Sequence, residues 1–264
     1  MENNEAESLG KLSKSARQKK ILSELISHPA IRVSELAQKF NVTTETIRRD
    51  LDELSSMGLI SRTYGGAARS LSQEPAILER NRLYSNEREH IALKMCEFIN
   101  NGDVLILGSG STTYKFSQFL ANTRQNLTVF TDSIPIASAL ANVTTNKVHL
   151  APGLYSDDEK SVYGPETVEY FHHVYANQVI LGASGLTPEG ISNADYDIGE
   201  SYRTMIDRST NVSVIADHSK FNQRAVNLFG YWKNITRLVT DQPVDDKDLL
   251  NAILSAGTEI IVAD

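Results

Sequence analysis

The chain has 264 residues, of which 41% are hydrophobic and 22% charged. That balance belongs to a globular protein and excludes collagen-like, mucin-like and wholly disordered classes. The net charge of −7 speaks against a uniformly basic nucleic-acid binder, while the single cysteine, Cys96, excludes an intramolecular disulfide, argues against a cysteine-built zinc site and points to a reducing cytoplasm.

Met1 to Glu7 is acidic and polar with no apolar stretch, so no signal peptide is expected. Residues 1–13 carry no apolar period and are expected to be disordered. From about Ala16 the pattern turns helical, with Ile21, Leu22, Leu25 and Ile26 on one face. His28-Pro29 ends that helix, because proline disfavours helix at the residue before it. Ser34 is expected to N-cap a second helix, Glu35 to Phe40. Asn41-Val42 makes a turn. Thr43 then caps a third helix, Thr44 to about Met57, with Ile47, Leu51 and Leu54 on its buried stripe. Gly58 reads as a C-cap glycine. Leu59 to Tyr64 alternates in part, and Gly65-Gly66 closes it as the turn of a β-ribbon wing.

On 3.6-residue spacing, the buried stripe leaves Glu45, Thr46, Arg48 and Arg49 on the flanks and outer face, with Thr44 in the first turn. This is the face that a recognition helix presents to a major groove. Arginine suits bidentate contact with guanine or phosphate, and threonine can touch a base or a thymine methyl. Arg62 and Arg69 of the wing, with Lys19 and Lys20, can reach flanking phosphates. Residues 1–70 hold 11 Lys and Arg against 9 Asp and Glu, while residues 71–264 hold 15 against 24. A mildly basic head is thus joined to an acidic body.

The spacing predicts a winged helix-turn-helix over 14–69, a linker over 70–84 and a second domain over 85–264. In the second domain, strand candidates are Val104–Leu107, Leu127–Thr131, Val148–Ala151, Val179–Gly182, Val212–Ala216, Leu238–Thr240 and Glu259–Val262. Helix candidates lie between them, at Glu87–Ile99, Thr113–Ala121, Ile134–Ala141, Glu166–Val174, Ile198–Arg208 and Asp246–Ser255. Apolar strands alternating with amphipathic helices predict an α/β fold, a mostly parallel, Rossmann-like sheet covered on both faces. No apolar run approaches the length of a membrane span, so no membrane partner is expected.

Leu107-Gly108-Ser109-Gly110-Ser111-Thr112-Thr113 follows a strand and opens a helix. Backbone N–H groups there form an anion site, and the hydroxyls add donors. Thr131-Asp132-Ser133, Pro152-Gly153, Ser161-x-x-Gly164, Leu181 to Gly185 and Asp217-His218-Ser219-Lys220 all sit where strands end, which is where open parallel sheets bind ligands. Gly108-x-Gly110 with Asp132 also fits a dinucleotide fingerprint in part, with Thr113 at the third glycine position. His172-His173 reads as solvated or core rather than metal-ligating, and Asp157-Asp158-Glu159 as a solvated loop. Cys96 is expected to be packed and inert. His218 either shapes its loop or meets the ligand, and Tyr231 and Trp232 are core or interface.

Ala16 to Ala67 resembles the DeoR-family helix-turn-helix. The resemblance rests on Ser34-Glu35-Leu36-Ala37, Val42-Thr43-x-x-Thr46-Ile47-Arg48-Arg49-Asp50-Leu51, Leu54-x-x-Met57-Gly58-Leu59-Ile60 and Arg62-x-x-Gly65-Gly66-Ala67. It extends over nearly all of residues 16–241 and implies a sugar-phosphate sensor in the second domain. The chain departs from the family at Gly108, where many members have Asp, and near Tyr202, where Lys is frequent. The sensor segments also resemble ribose-5-phosphate isomerase, in the Gly108–Thr112 loop and in Asp217-x-Ser219-Lys220. That enzyme needs carboxylates in the segment that here reads Ile180 to Gly185, which has none, and proton shuttling requires a positioned base.

These readings imply a cytoplasmic repressor of a carbohydrate or polyol operon, not an enzyme and with no cofactor. Operator DNA is expected at Thr44, Glu45, Thr46, Arg48, Arg49 and Arg62. A phosphorylated sugar or polyol is expected at Ser109, Gly110, Ser111, Thr112, Thr113, Asp132, Ser133, Gly153, Ser184, Gly185 and Lys220. A homo-oligomer is expected, because operators are commonly paired half-sites. The alternatives are a nicotinamide-dinucleotide-sensing repressor and a sugar-phosphate isomerase with an appended DNA-binding head.

Overall fold

The computed structural model describes residues 13–27, 30–57, 59–69 and 74–263. The chain divides into two units, Met1–Glu74 and Pro75–Asp264. The tail 1–12, His28-Pro29, Gly58 and the linker residues 70–73 lie outside the described residues, so the helix stop, the C-cap and the disorder expected there are not described.

The first unit runs α1 (Lys14–Ser27), β1 (Ala30–Arg32), α2 (Val33–Lys39), α3 (Thr44–Ser56), β2 (Ile60–Thr63) and β3 (Gly66–Arg69). Its core is Ile21, Leu25, Leu36, Ile47, Leu51, Leu54 and Ile60, which is the stripe that the helical spacing marks. Thr43 caps α3 by accepting the Thr46 N–H at 3.1 Å. Three local expectations are corrected. The N-cap of α2 is Arg32, not Ser34, because β1 runs straight into the helix: the Val33 N–H donates to Gly65 O and the Arg32 N–H donates to the Glu35 carboxylate. The wing is three-stranded, since β1 pairs antiparallel with β3, which pairs with β2. A three-residue strand is too short for its alternation to stand out in sequence. The wing turn is Tyr64-Gly65, with Gly65 at φ +84°, and Gly66 already lies in β3. There a Cβ would sit 2.2 Å from the Ile31 carbonyl oxygen, so Gly66 permits the close approach of β1.

The second unit runs α4 (Ile77–Arg80), α5 (Ser85–Cys96), β4 (Val104–Leu107), α6 (Ser111–Thr123), β5 (Thr128–Thr131), α7 (Ile134–Ala141), β6 (Lys147–Leu150), β7 (Leu154–Ser156), β8 (Ser161–Tyr163), α8 (Pro165–His172), β9 (Gln178–Leu181), β10 (Gly185–Thr187), β11 (Gly190–Asn193), α9 (Tyr196–Ile206), β12 (Val212–Ile215), β13 (Asn227–Gly230), β14 (Arg237–Thr240), α10 (Lys247–Ser255) and β15 (Glu259–Val262). All seven strands expected of the large sheet form it, in the order β15-β14-β12-β9-β4-β5-β6, and every neighbouring pair is parallel. Alternate residues of its strands feed two cores. Ile106, Val179, Leu181, Val214 and Leu238 face one layer, and Leu105, Leu107, Val129, Ile180, Ile215 and Val239 face the other. Burial on both faces is why these strands read as unbroken apolar runs.

From β4 the chain moves outward to β5 and β6; from β9 it moves the other way, to β12, β14 and β15. The adjacent carboxyl ends of β4 and β9 are therefore the topological switch point. The hairpin β7-β8 and the antiparallel sheet β10-β11-β13 were not foreseen. Their strands have three or four residues and are rich in glycine and serine, which weakens any strand signal. Residues 75–84, expected in the linker, belong to the second unit: Ile77 is buried and its N–H donates to Asp158 O at 2.9 Å. No helix among the described residues is long and apolar enough to cross a membrane.

Candidate functional site

In the first unit, α3 turns its apolar stripe inward and leaves Thr44, Glu45, Arg48 and Arg49 exposed. Glu45 lies between the two arginines, 3.3 Å from Arg49 Nε and 3.9 Å from Arg48 Nη1. Arg49 is 79% exposed, so these ion pairs are weak and yield readily to phosphate. Thr46 spends part of its hydroxyl on the cap, 2.8 Å from that of Thr43. Arg62 folds back onto the head, with Nε 3.1 Å from Asp52 and Nη1 donating to Gly66 O. Lys19 and Lys20 are exposed on α1, and the Arg69 side chain lies outside those described.

Sequence reasoning missed the pair that holds α3 against α1. Arg17 donates to both carboxylate oxygens of Asp50, and both side chains are buried. The hydrogen bond to Asp50 raises the Arg17 pKa further. The available signal was an acid at Asp50, three residues after the buried Ile47 and four before the buried Leu54.

In the second unit, β4 delivers the Gly108–Thr113 loop to the switch point. Gly110, at φ +131°, precedes α6, and no side chain caps that helix. Ser111, Thr112 and Thr113 occupy its first turn, with Thr113 Oγ1 donating to Gly110 O at 3.0 Å. The start of α6 thus points uncapped backbone donors outward from the sheet, a good seat for an anion. Ser109 is fixed from two sides. Its N–H donates to Asp132 Oδ1 at 2.7 Å, and its Oγ lies 3.3 Å from Asp132 Oδ2 and 3.1 Å from the Tyr202 hydroxyl. The Tyr202 hydroxyl also donates to Ser109 O. Asp132 is fully buried, and burial raises its pKa to about 7 against the lowering effect of Ser109.

The remaining expected residues separate by place. Ser133 is fully buried, caps α7 and bridges to Ser161. Gly153 follows the edge strand β6 at φ +149°, where a Cβ would sit 2.2 Å from Thr167 Oγ1, so packing alone requires glycine. Gly185 is similar, with a Cβ 2.1 Å from Gln223 O. Ser184 Oγ accepts the Ala194 N–H. Lys220 lies in a one-turn helix after β12 that Asp217 caps, and the Leu186–Phe221 bridge sets that turn beside β10.

Arg80, Arg88 and Asp241 were not marked in sequence, because their partners lie far along the chain. Arg80 grips Glu159 with both terminal nitrogens, at 2.8 and 2.5 Å, which corrects the solvated-loop reading for Glu159, while Asp157 and Asp158 are exposed as expected. Arg88 pairs with Asp217 at 3.2 Å, both fully or nearly buried. His218 Nδ1 lies 2.6 Å from Asp241 Oδ2, which gives His218 a loop-shaping contact. Trp232 is core, with Nε1 donating to Thr187 O, and Tyr231 is half exposed. Cys96 is buried, and burial raises its thiol pKa. His173 pairs with Glu169 on its own helix, and no group of ligand side chains suited to a metal ion occurs among the described residues.

Residues 17–73 match the DeoR-like helix-turn-helix domain, and residues 84–242 match the DeoR C terminal sensor domain. The chain belongs to the DeoR family. The two DeoR matches fall one in each structural unit, and the protein is a DNA-binding transcription regulator of that family. The DeoR-family chain is 32% identical to the glycerol-3-phosphate regulon repressor of Escherichia coli K12 over 215 residues, 81% of this chain and 85% of the relative. It is 27% identical to the HTH-type transcriptional regulator IolR of Bacillus subtilis strain 168 over 226 residues, 84% and 89% of the two chains. Among solved structures, ribose 5-phosphate isomerase A from Neisseria gonorrhoeae aligns with 51% of this chain and 52% of its own, at 18% identity and a TM-score of 0.36.

Proposed function

We propose that this DeoR-family protein is a repressor of a carbohydrate or polyol operon, released or engaged by a phosphorylated sugar or polyol. In this reading Thr44, Glu45, Thr46, Arg48 and Arg49 meet operator DNA, with Arg62 turning from Asp52 to a phosphate. The effector's phosphate sits on the uncapped start of α6, at Gly110 to Thr113, with Lys220 supplying charge from the β12 end. Ser184 and Gly185 border it from the β9 end, while Ser109, Asp132 and Ser133 hold the loop in shape. The protein acts as a homo-oligomer on paired half-sites.

The observation that carries the effector reading is the bare N-terminus of α6 at the switch point. The same geometry disfavours a dinucleotide. Asp132, where a ribose-binding acid would stand, is fully buried and spends its carboxylate on Ser109. The names of two relatives, a glycerol-3-phosphate regulon repressor and IolR, support the reading of a regulator rather than an enzyme. The carboxylate-free stretch Leu181 to Gly185 supports it too, since an isomerase needs a base there.

A thermal-shift screen tests the proposal. A sugar or polyol phosphate should raise the melting midpoint, because it binds only the folded state. Lys220→Ala should weaken that ligand roughly ten- to a hundredfold, the cost of one charge-assisted hydrogen bond. A midpoint raised by nicotinamide dinucleotides and by no phosphorylated sugar or polyol would overturn the reading.

A further inference from the structure

We propose that Arg80, Tyr84 and Arg88 form the relay through which the effector site governs the DNA-binding head; the role rests on the effector reading above. The chain enters the sensor body at Pro75, so residues 77–88 are the part of the body next in sequence to the head. This stretch is fastened to the carboxyl-edge loops at three points. Arg80 forms a bidentate pair with Glu159 in the β7-β8 turn, and Ile77 N–H donates to Asp158 O in the same turn. The Tyr84 ring meets His218 edge-on, with centroids 5.3 Å apart. Arg88 pairs with Asp217 and also donates to the carbonyls of Arg80 and Leu83, which ties the strap to itself as well as to the β12 loop.

Asp217 and Glu159 each belong to a loop that also serves the effector edge. Asp217 caps the turn that carries Lys220, through the Ser219 N–H and hydroxyl. The β7-β8 hairpin brings Ser161 against Ser133, and Val162 N–H donates to Asp132 O. A ligand drawing Lys220 or the α7 start toward itself therefore pulls on the two carboxylates that hold the strap. Tyr84, at φ +50°, adopts a left-handed conformation just before α5, a strained joint held by its surroundings. Two arginines that are nearly buried, spent on loops far along the chain, are costly to keep unless both partners stay in place, so the strap has a defined clamped state.

The experiment uses the full-length protein without ligand, so it stands whatever the effector proves to be. Glu159→Gln and Arg80→Ala remove the outer, less buried pair; Asp217→Asn is added if it folds. Hydrogen exchange of residues 76–88 and operator affinity by gel shift are read on each, with a thermal melt to establish folding. The expected result is faster exchange of the strap together with operator affinity changed threefold or more, lowered if the clamped state is the binding one and raised if it is not. Faster exchange with operator affinity changed less than threefold would overturn the relay. Unchanged strap exchange in both outer variants would overturn it as well, since the pair would then not hold the strap. A failed thermal-shift screen with sugar phosphates would strike the effector reading, while these outcomes would still report whether the strap is coupled to operator affinity.

Discussion

The ring of Tyr202 occupies the space into which a side chain at Gly108 would project. A Cβ there would come within 2.8 Å of Tyr202 Cε1 and of Leu181 Cδ2. Tyr202 cannot swing away cheaply, because it is buried and its hydroxyl is bound to Ser109. Gly108→Ala should therefore destabilise the sensor by about 1–3 kcal/mol, the usual cost of overpacking. A denaturant melt of the variant checks this, and a wild-type midpoint would show that the ring yields.

Arg48→Ala and Arg49→Ala should each weaken operator binding. A base-reading arginine would cost about 1–3 kcal/mol and relax specificity, whereas a phosphate-binding one would weaken all sequences and flatten the salt dependence. Gel shifts at two salt concentrations separate the cases. Unchanged affinity in a folded double variant would remove the recognition face from α3.

Asp50→Ala should unfold the head more readily than any surface change, because it strands Arg17 as a buried charge. Breaking a buried ion pair costs about 3–5 kcal/mol. Circular dichroism melts should show the head transition lowered while the sensor transition stays put. A parallel fall of both transitions would contradict the local role.

The buried Asp132 makes stability depend on pH. Its folded pKa, about 7, lies above the ordinary 3.8, so the fold prefers the protonated acid. The stability it contributes is full below the ordinary value and is lost as pH rises through about 7. Asp132→Asn mimics the neutral acid and should flatten the fall in melting midpoint between pH 5 and 8. An unaltered pH profile in the variant would show that Asp132 titrates elsewhere.

The parts of the fold legible in sequence were those with long periods. The stripe of Ile47, Leu51 and Leu54 repeats over a whole helix, and β9 and β12 stand out as mainly apolar runs because both their faces are buried. The short strands β1, β7, β8, β10 and β11 carry too few residues for a period, and their pairing depends on partners that local sequence does not contain. The site divides in the same way. The Gly108–Thr113 loop and the Asp217–Lys220 turn are contiguous motifs and stand out. The pairs Arg17–Asp50, Arg80–Glu159 and Arg88–Asp217 join residues 33, 79 and 129 positions apart, and the one local sign of them is the acid at Asp50 beside the buried stripe of α3. Gly153 and Gly185 stood out as strand-end glycines, and at each a Cβ would also collide with a neighbour.

The strap also fixes where this protein can be cut and rejoined. A sensor grafted onto a different reading head should begin at Pro75. Beginning it at Ser85, the start of α5, would keep Glu159 but discard Arg80, and would leave Arg88 without the two carbonyls it now holds. Such a graft would keep every strand of the large sheet and still lose the contacts that fasten residues 77–88 to the sensor body. The sensor's working boundary is thus set by two arginines rather than by the first residue of a helix.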